Sequence, residues 1–328
     1  MTTILIYVAT VVIWGSTWIM MKFQLGVVAP AASLCYRYFL AGVVVLIAAA
    51  LVGKRIRLKP VHHVWCALQG ALMFSVNYWL TYLAAAHLTT GVVSVFFAGV
   101  SAVTMLIQFV VFARTPPVAA AVGASLGVAG TALVFWPEIA GLPIDGPEVF
   151  SGLLVTISVV LFSVGGLIGA RNLGAGMPRY ANIGWSMFYG GIWMALLTLA
   201  RGETFGFEVS FTYICSLLWL IVLGSGVVFA LYFVLIERIG PERAAYATVM
   251  FPLVALIIST FAEDYHWPLL ALIGVPLALL GNGLVLAGSA IARSPAPKRS
   301  TPGEFEPVEW AVNLVEIPEP EPAGRSQT

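Results

Sequence analysis

The sequence predicts an all-α polytopic membrane protein, with ten transmembrane helices arranged as two inverted five-helix repeats around a central cavity. Three observations lead to this fold class. The 328 residues are 60% hydrophobic and only 9% charged, whereas soluble domains carry about a quarter charged residues. Ten apolar stretches are long enough to cross a bilayer. Several proline, glycine and basic residues of the first half also recur in the second half at a nearly fixed separation in the sequence.

A membrane-spanning helix needs about 20 predominantly apolar residues. Ten stretches meet this requirement: 4–21, 32–52, 64–86, 90–112, 118–136, 150–170, 181–200, 211–236, 243–262 and 268–291. No basic region precedes the first stretch, so we expect a retained span and not a cleaved signal peptide. The predicted units are a first repeat (1–137), a connecting loop on the outer side (138–149), a second repeat (150–292) and a disordered cytoplasmic tail rich in Pro and Glu (293–328).

The distribution of Lys and Arg predicts the orientation. If the N-terminus is cytoplasmic, inner segments hold 13 of the 16 basic residues: Lys54, Arg55, Arg57, Lys59, Arg114, Arg171, Arg179, Arg238, Arg243, Arg293, Lys298, Arg299 and Arg325. Acidic residues concentrate in the outer loops instead. Because basic residues stay on the cytoplasmic side during insertion, we expect both termini inside and the protein in the inner (plasma) membrane.

Residues of the same type at matching positions in the two halves indicate an internal repeat. Pro117, Gly123 and Gly130 each lie 151 positions before a residue of the same type, at Pro268, Gly274 and Gly281. Lys22 and Arg171 are 149 positions apart. With five spans per half, the second copy enters the bilayer from the opposite face. Inverted repeats of this kind are typical of transporters whose substrate site lies near the midplane.

Several segments resemble the EamA type of the drug/metabolite transporter superfamily. They are "WGSTWIMMK" (14–22), "RYFLAG" (37–42) and "GPERAAYATVMFPLVALIISTFAE" (240–263), followed by Gly274 and Gly281. Ser101 and Phe112 depart from the family pattern, which has proline and an acid there. The resemblance implies ten helices around a cavity and export of small metabolites, with the amino-acid exporter branch as one possibility.

The candidate substrate contacts begin with an amide deep in the third span. Asn77 belongs to "SVNYWLTY" (75–82) and lies 13 residues into the predicted span 64–86, where it shares one helical face with Phe74, Tyr78 and Tyr82. An unbonded amide at this depth costs several kcal/mol. It can face a wet cavity or bond across packed helices, and the accompanying tyrosines favour the cavity.

Other candidates lie at a comparable depth in other spans. They are Trp14 and Ser16 in the first span, Ser101 in the fourth, Ser163 in the sixth, and Ser225 and Phe229 in the eighth. Phe229 follows Tyr78 by 151 positions, so the inverted copy would present an aromatic ring across the pseudo-axis. Glycine stripes in the fifth and tenth spans favour close helix packing, and Asn282 among them is expected to bond a neighbouring backbone.

Few charged residues lie within the predicted spans, and this restricts the substrates that the protein can be expected to transport. No Asp or Glu lies deep in any span, which disfavours proton exchange of organic cations. Arg37, about six residues from the outer end of its span, is expected to reach the interface by snorkelling. The cavity is then predicted to be uncharged, and the missing pair of deep basic residues disfavours phosphorylated sugars. No phosphate-binding glycine loop, metal-ligand spacing or catalytic constellation occurs, so we expect no enzyme activity, cofactor or metal.

These observations together predict a secondary transporter. We expect a monomer in the lipid bilayer that exports small neutral or zwitterionic metabolites, most favourably amino acids, by alternating access, with no nucleic-acid partner. Proton exchange and facilitated diffusion both remain open. So do three alternatives: a facilitative channel-like pore, an exporter of other metabolites or drugs, and a lipid-metabolising or signalling membrane protein.

Overall fold

The computed structural model describes residues 2–113, 115–140, 143, 146–239, 244 and 246–292. All regular elements in these ranges are helices. Eight of them are long and apolar enough to cross a membrane, and a ninth apolar helix is shorter. Large apolar side chains such as Ile4, Val110 and Phe261 are exposed on the outside of the helices, which suits a lipid environment. The predicted all-α polytopic membrane class is confirmed.

Seven α-helices lie in the described residues of the first half. They are α1 (Thr2–Lys22), α2 (Pro30–Leu51), α3 (Pro60–Ala71), α4 (Asn77–Ala84), α5 (Thr90–Ala98), α6 (Val100–Phe112) and α7 (Val118–Ile139). Pro30 and Pro60 open their helices, where the missing N–H of proline costs nothing. A turn at Gly99 separates α5 from α6, so the predicted fourth span is two helices end to end.

The second half contains six helical elements in the described ranges. They are α8 (Pro147–Gly174), α9 (Arg179–Ala200), α10 (Phe211–Leu218), α11 (Val228–Ile239), α12 (Ala247–Ala262) and α13 (Leu269–Ala292). Helix α8 starts three residues before the predicted span and ends four residues after it. The extra turn is stabilised where the Arg171 guanidinium stacks 3.6 Å from the Trp65 ring. The predicted tail (293–328) and most of the segment 240–245 lie outside the described residues.

Two π-helical segments interrupt the third and eighth spans. The sequence did not predict them. Leu72–Val76 connects α3 to α4, and Trp219–Val227 connects α10 to α11. In each segment a serine hydroxyl donates to the carbonyl five residues earlier, Ser75 to Gly70 at 2.9 Å and Ser225 to Leu220 at 2.8 Å. The two serines are 150 positions apart, and π segments are frequent at functional sites.

Close glycine contacts hold two pairs of helices together. Helix α7 packs along α13, where a Cβ on Gly130 would lie 2.3 Å from the Ala278 nitrogen. Helix α2 packs along α9, where a Cβ on Gly42 would lie 2.5 Å from the Phe188 nitrogen. Small residues let membrane helices approach until their backbones touch. The glycine stripes are therefore used within the chain, as the scaffold prediction required.

The remaining helices surround the centre of the molecule. Helix α1 packs against α11 and α12, and α8 packs against α4 and α6. Helix α5 contacts α12. Helices α1, α4, α6, α8, α11 and α12 are thus joined by contacts outside the two close-packed pairs.

Candidate functional site

A cavity of about 410 Å³ lies between the helices at the centre of the molecule. Its volume is in the range of small-molecule sites. Aromatic rings form much of its wall, and serine, threonine, asparagine and arginine side chains interrupt them. The described lining residues are Trp14, Thr17, Trp18, Arg37, Tyr38, Met73, Phe74, Tyr78, Phe97, Ala98, Val100, Ser101, Phe162, Met187, Gly224, Ser225, Phe229, Tyr232, Thr248, Phe251, Asn282 and Leu286.

The cavity is asymmetric along the helix axes. It reaches Thr248, the second residue of α12, and Leu286 near the end of α13. At the other end, the Trp18 ring packs 4.9 Å from Phe97 and stacks 6.0 Å from Phe251. An aromatic layer thus covers the cavity on the side where α1 ends, and we name this side the Lys22 end.

Six of the ten predicted contact residues line the cavity. They are Trp14, Phe74, Tyr78, Ser101, Ser225 and Phe229. Trp14 and Phe229 meet edge to face with their ring centroids 5.9 Å apart, so α1 and α11 present their aromatic residues to each other. Ser225 lies in the π segment at the cavity wall. Its hydroxyl donates to the backbone carbonyl of Leu220.

The other four predicted residues lie behind the wall. Ser16 donates to the Ile13 carbonyl, and Ser163 donates to the Val159 carbonyl. Tyr82 and Asn77 are fully buried. None of the four is among the described lining residues.

Asn77 belongs to the contact between α4 and α8. Its backbone carbonyl accepts hydrogen bonds from Thr81 and Ser158, whose hydroxyls are themselves 2.7 Å apart. Both side-chain amide atoms of Asn77 are buried without a hydrogen-bond partner among the described residues. The structure therefore places this amide next to the cavity and not among its lining residues.

Arg37 is in the cavity wall, and the snorkelling prediction was wrong. Its side chain is only 4% exposed, and it lines the cavity. The guanidinium carbon lies 4.8 Å from the Tyr38 ring centroid and 5.0 Å from that of Tyr78. These rings offer their negative faces to the cation, so the side chain turns inward. The cavity is therefore positively charged, not uncharged as the sequence analysis expected.

Asn282 is a second residue that the sequence analysis assigned differently. It was expected to bond a neighbouring backbone in the scaffold, but it lines the cavity and its Oδ1 has no described hydrogen-bond partner. Its neighbour Gly281 does pack against α7. Consecutive residues of α13 therefore contribute to the contact with α7 and to the cavity wall.

Beyond the aromatic layer, a buried carboxylate ties four helices together. Glu263 Oε2 accepts hydrogen bonds from the Thr90 backbone at 2.9 Å, the Thr90 hydroxyl at 2.6 Å and the Ser259 hydroxyl at 2.6 Å. Lys22 Nζ lies 3.6 Å from Glu263 Oε1 and donates to the Ala85 carbonyl at 2.7 Å. This Glu263 cluster joins the ends of α1, α4 and α12 to the start of α5, and so closes the Lys22 end.

A second buried polar cluster lies at the opposite end. Asn172 donates to Gln69 at 3.1 Å and to Asn182 at 2.9 Å, and Ser186 donates to Gln69 at 3.1 Å. All four side chains are buried. This Asn172 cluster joins the end of α8 to the start of α9 and to α3.

Glu263→Gln is expected to open the Lys22 end. The introduced amide cannot form the ion pair with Lys22, and its NH₂ group cannot accept hydrogen bonds from the Thr90 and Ser259 donors. Leaving a buried hydrogen-bonding group unpaired costs about 1–3 kcal/mol. The reporter is a cysteine introduced by Ala98→Cys, in the cavity wall, after replacement of Cys35, Cys66 and Cys215. A membrane-impermeant maleimide added at the Lys22 end should modify this cysteine several-fold faster in Glu263→Gln.

The matched control is Glu203→Gln. This substitution breaks a surface ion pair, in which Arg201 Nε lies 2.6 Å from Glu203 Oε1, and should leave the modification rate unchanged. Equal rates in Glu263→Gln and the parent protein would show that the Glu263 cluster does not close this end.

Comparisons with known proteins agree with this architecture. Residues 1–136 match the sequence profile of the EamA-like transporter family. Protein PecM of Dickeya dadantii (strain 3937) is 25% identical over 249 residues, which cover 75% of this chain and 79% of PecM. A crystal structure described only as that of a protein superposes with a TM-score of 0.64 at 16% identity, covering 89% of this chain and 99% of the other. At this identity, the structural likeness supports the fold alone.

Proposed function

We propose that this chain, whose residues 1–136 match the EamA-like transporter family, is a transporter of that family in the drug/metabolite transporter superfamily and exports small metabolites, amino acids foremost, by alternating access. Members of this family are transporters, so the expectation that the chain is not an enzyme is confirmed. The chain is a multi-pass membrane protein whose partners include the bilayer and a small-molecule substrate. Its finer substrate class, orientation and monomeric state are part of the proposal.

The observation that carries the proposal is the central cavity. Residues of α1, α4 and α6 line it together with residues of α8, α11 and α12, so both halves contribute to one site. Polar groups are few and most of the wall is aromatic or aliphatic, as in sites for small organic ligands. We propose that Trp14, Phe74, Tyr78, Ser101, Ser225 and Phe229 contact the substrate, while Ser16, Asn77, Tyr82 and Ser163 support the wall.

Matched features in the two halves support an inverted repeat. Ser75 and Ser225 stabilise equivalent π segments. The Asn172 cluster also has a counterpart at the Lys22 end, where Gln24 donates to the Tyr213 carbonyl and Ser33 bonds the Tyr213 hydroxyl. Gln24 and Asn172 are 148 positions apart. Two similar units of opposite orientation can rock against each other around a fixed site.

A carrier fits these contacts better than an open pore. The Glu263 cluster joins four helices at the Lys22 end, and a continuous pore would have to break it. A carrier needs to open only one end at a time. Under the predicted topology the Lys22 end is outer, so the cavity reaches toward the cytoplasm, the side from which an exporter loads.

The test is substrate counterflow in liposomes that contain the purified protein. Trapped amino acids should accelerate entry of a labelled amino acid, with saturation, and a screen of amino acids and nucleosides identifies competitors. An imposed pH jump should accelerate flux only if protons are exchanged. Non-saturating flux or unitary currents would contradict a carrier, and competition by nucleosides alone would contradict amino acids as substrates.

A further inference from the structure

The charge of Arg37 has no anionic partner among the residues that the structure describes. The ion pairs Lys22–Glu263 and Arg201–Glu203 do not involve Arg37, and no described lining residue of the cavity is acidic. The Nε atom of Arg37 is buried and has no hydrogen-bond partner among the described residues. A buried cation without an anionic partner is costly, and residues of this kind in membrane spans mark substrate pathways.

The tyrosines around Arg37 compensate only part of this cost. Tyr38 and Tyr78 present ring faces at 4.8 and 5.0 Å, and a ring face attracts a cation without neutralising it. Arg37 is the eighth residue of α2, about 10 Å along the helix from its start. The cation is thus within the bilayer, where bulk water cannot solvate it fully.

The chemistry of the site points to one kind of anion. A guanidinium presents a planar fork of N–H donors that matches a carboxylate. Arg37 is the one basic residue among the described lining residues, which suits a single negative charge better than a phosphate dianion. Aromatic rings such as Trp14, Trp18 and Phe229 offer the rest of the ligand an apolar surface. The same lining has no carboxylate to bind an ammonium group.

We propose that Arg37 binds the carboxylate of the transported molecule, and that the site accepts aromatic monocarboxylates whether or not they carry an α-amine. The inference rests on the proposed transport function and narrows its substrate class. An amino acid is bound through its carboxylate and its side chain. Its ammonium group makes no charge pair with the described wall, so removing the amine should cost little affinity.

The experiment is isothermal titration calorimetry of the protein in lipid nanodiscs with four matched probes. They are 3-phenylpropionate, its neutral amide, 3-phenylpropylamine and L-phenylalanine. We expect 3-phenylpropionate and L-phenylalanine to bind with similar affinity, the amide to bind at least about tenfold more weakly, and the amine not to bind. In Arg37→Met the acid should lose its advantage over the amide, and Arg37→Lys should keep part of it. Arg201→Gln removes an exposed arginine and should change nothing.

Two outcomes would overturn the inference. One is equal binding of 3-phenylpropionate and its amide to the parent protein. The other is an unchanged preference for the acid in Arg37→Met, provided that size-exclusion profiles show this variant to be folded. If Arg37→Met does not fold, the same comparison of 3-phenylpropionate with its amide is made in the parent protein and in Arg37→Lys. An equal preference for the acid in these two proteins would then contradict the inference. Saturable counterflow of a neutral solute without carboxylate selectivity would contradict the role of Arg37 and leave the proposed transport function standing.

Discussion

Gly130→Ala is expected to lower the thermal unfolding midpoint of the protein in detergent, whereas Gly127→Ala on the same helix should leave it unchanged or raise it slightly. A Cβ at Gly130 would lie 2.3 Å from the Ala278 nitrogen and 2.6 Å from the Gly274 carbonyl oxygen. These are backbone atoms of α13, so no side chain can move aside. The helices must separate along their whole contact.

Gly127 is the matched control. Its Cβ would meet its nearest neighbours at 4.0 Å, an ordinary contact distance. Overpacking a close contact costs about 1–3 kcal/mol, while alanine in an open helical position gains about 0.5–1 kcal/mol over glycine. Equal midpoints for the two variants, measured by circular dichroism during heating, would show that the α7–α13 contact is not as close as described.

Ser101→Phe is expected to abolish counterflow while the protein remains folded. Ser101 lines the cavity on α6, so a phenyl ring there projects into open space and not into packed atoms. An aromatic side chain covers about 150–250 Å², enough to occupy much of the space that a small substrate needs. Transport should fall to the level of protein-free liposomes.

The control for Ser101→Phe is Ser125→Phe. Ser125 is exposed on the outer surface of α7, where an additional ring meets lipid, so transport should be unchanged. Full counterflow by a folded Ser101→Phe protein would place the substrate path outside this cavity.

The membrane fold could be predicted because its main signals are local. Long apolar stretches predict spans without knowledge of their neighbours, and Pro30 and Pro60 mark where two helices begin. The glycines that meet in the α7–α13 contact were found by their spacing. Periodicity does not reveal π segments, since those of Ser75 and Ser225 depend on a hydroxyl bonding a carbonyl five residues back.

The charge of the site could not be predicted because it depends on partners distant in the sequence. Arg37 near a helix end could extend to water or turn inward, and the ring of Tyr78, 41 positions later, lies at the inward position. Asn77 carried the strongest sequence signal, yet its side-chain amide is buried without a described hydrogen-bond partner, and Ser158 of another helix bonds its backbone carbonyl. The position of a polar residue in a span therefore does not show whether its side chain faces a cavity or a neighbouring helix.

The most direct test of alternating access is two-sided labelling of Ala98→Cys in oriented membrane vesicles. After replacement of the native cysteines, an impermeant maleimide is applied from either side, with and without an amino acid that competes in the counterflow screen. We predict that the reagent reaches the cavity from one side at a time, and that this amino acid slows the reaction. Rapid labelling from both sides under one condition would indicate a continuous pore. No labelling from either side in any condition would mean that the centre is packed and dry.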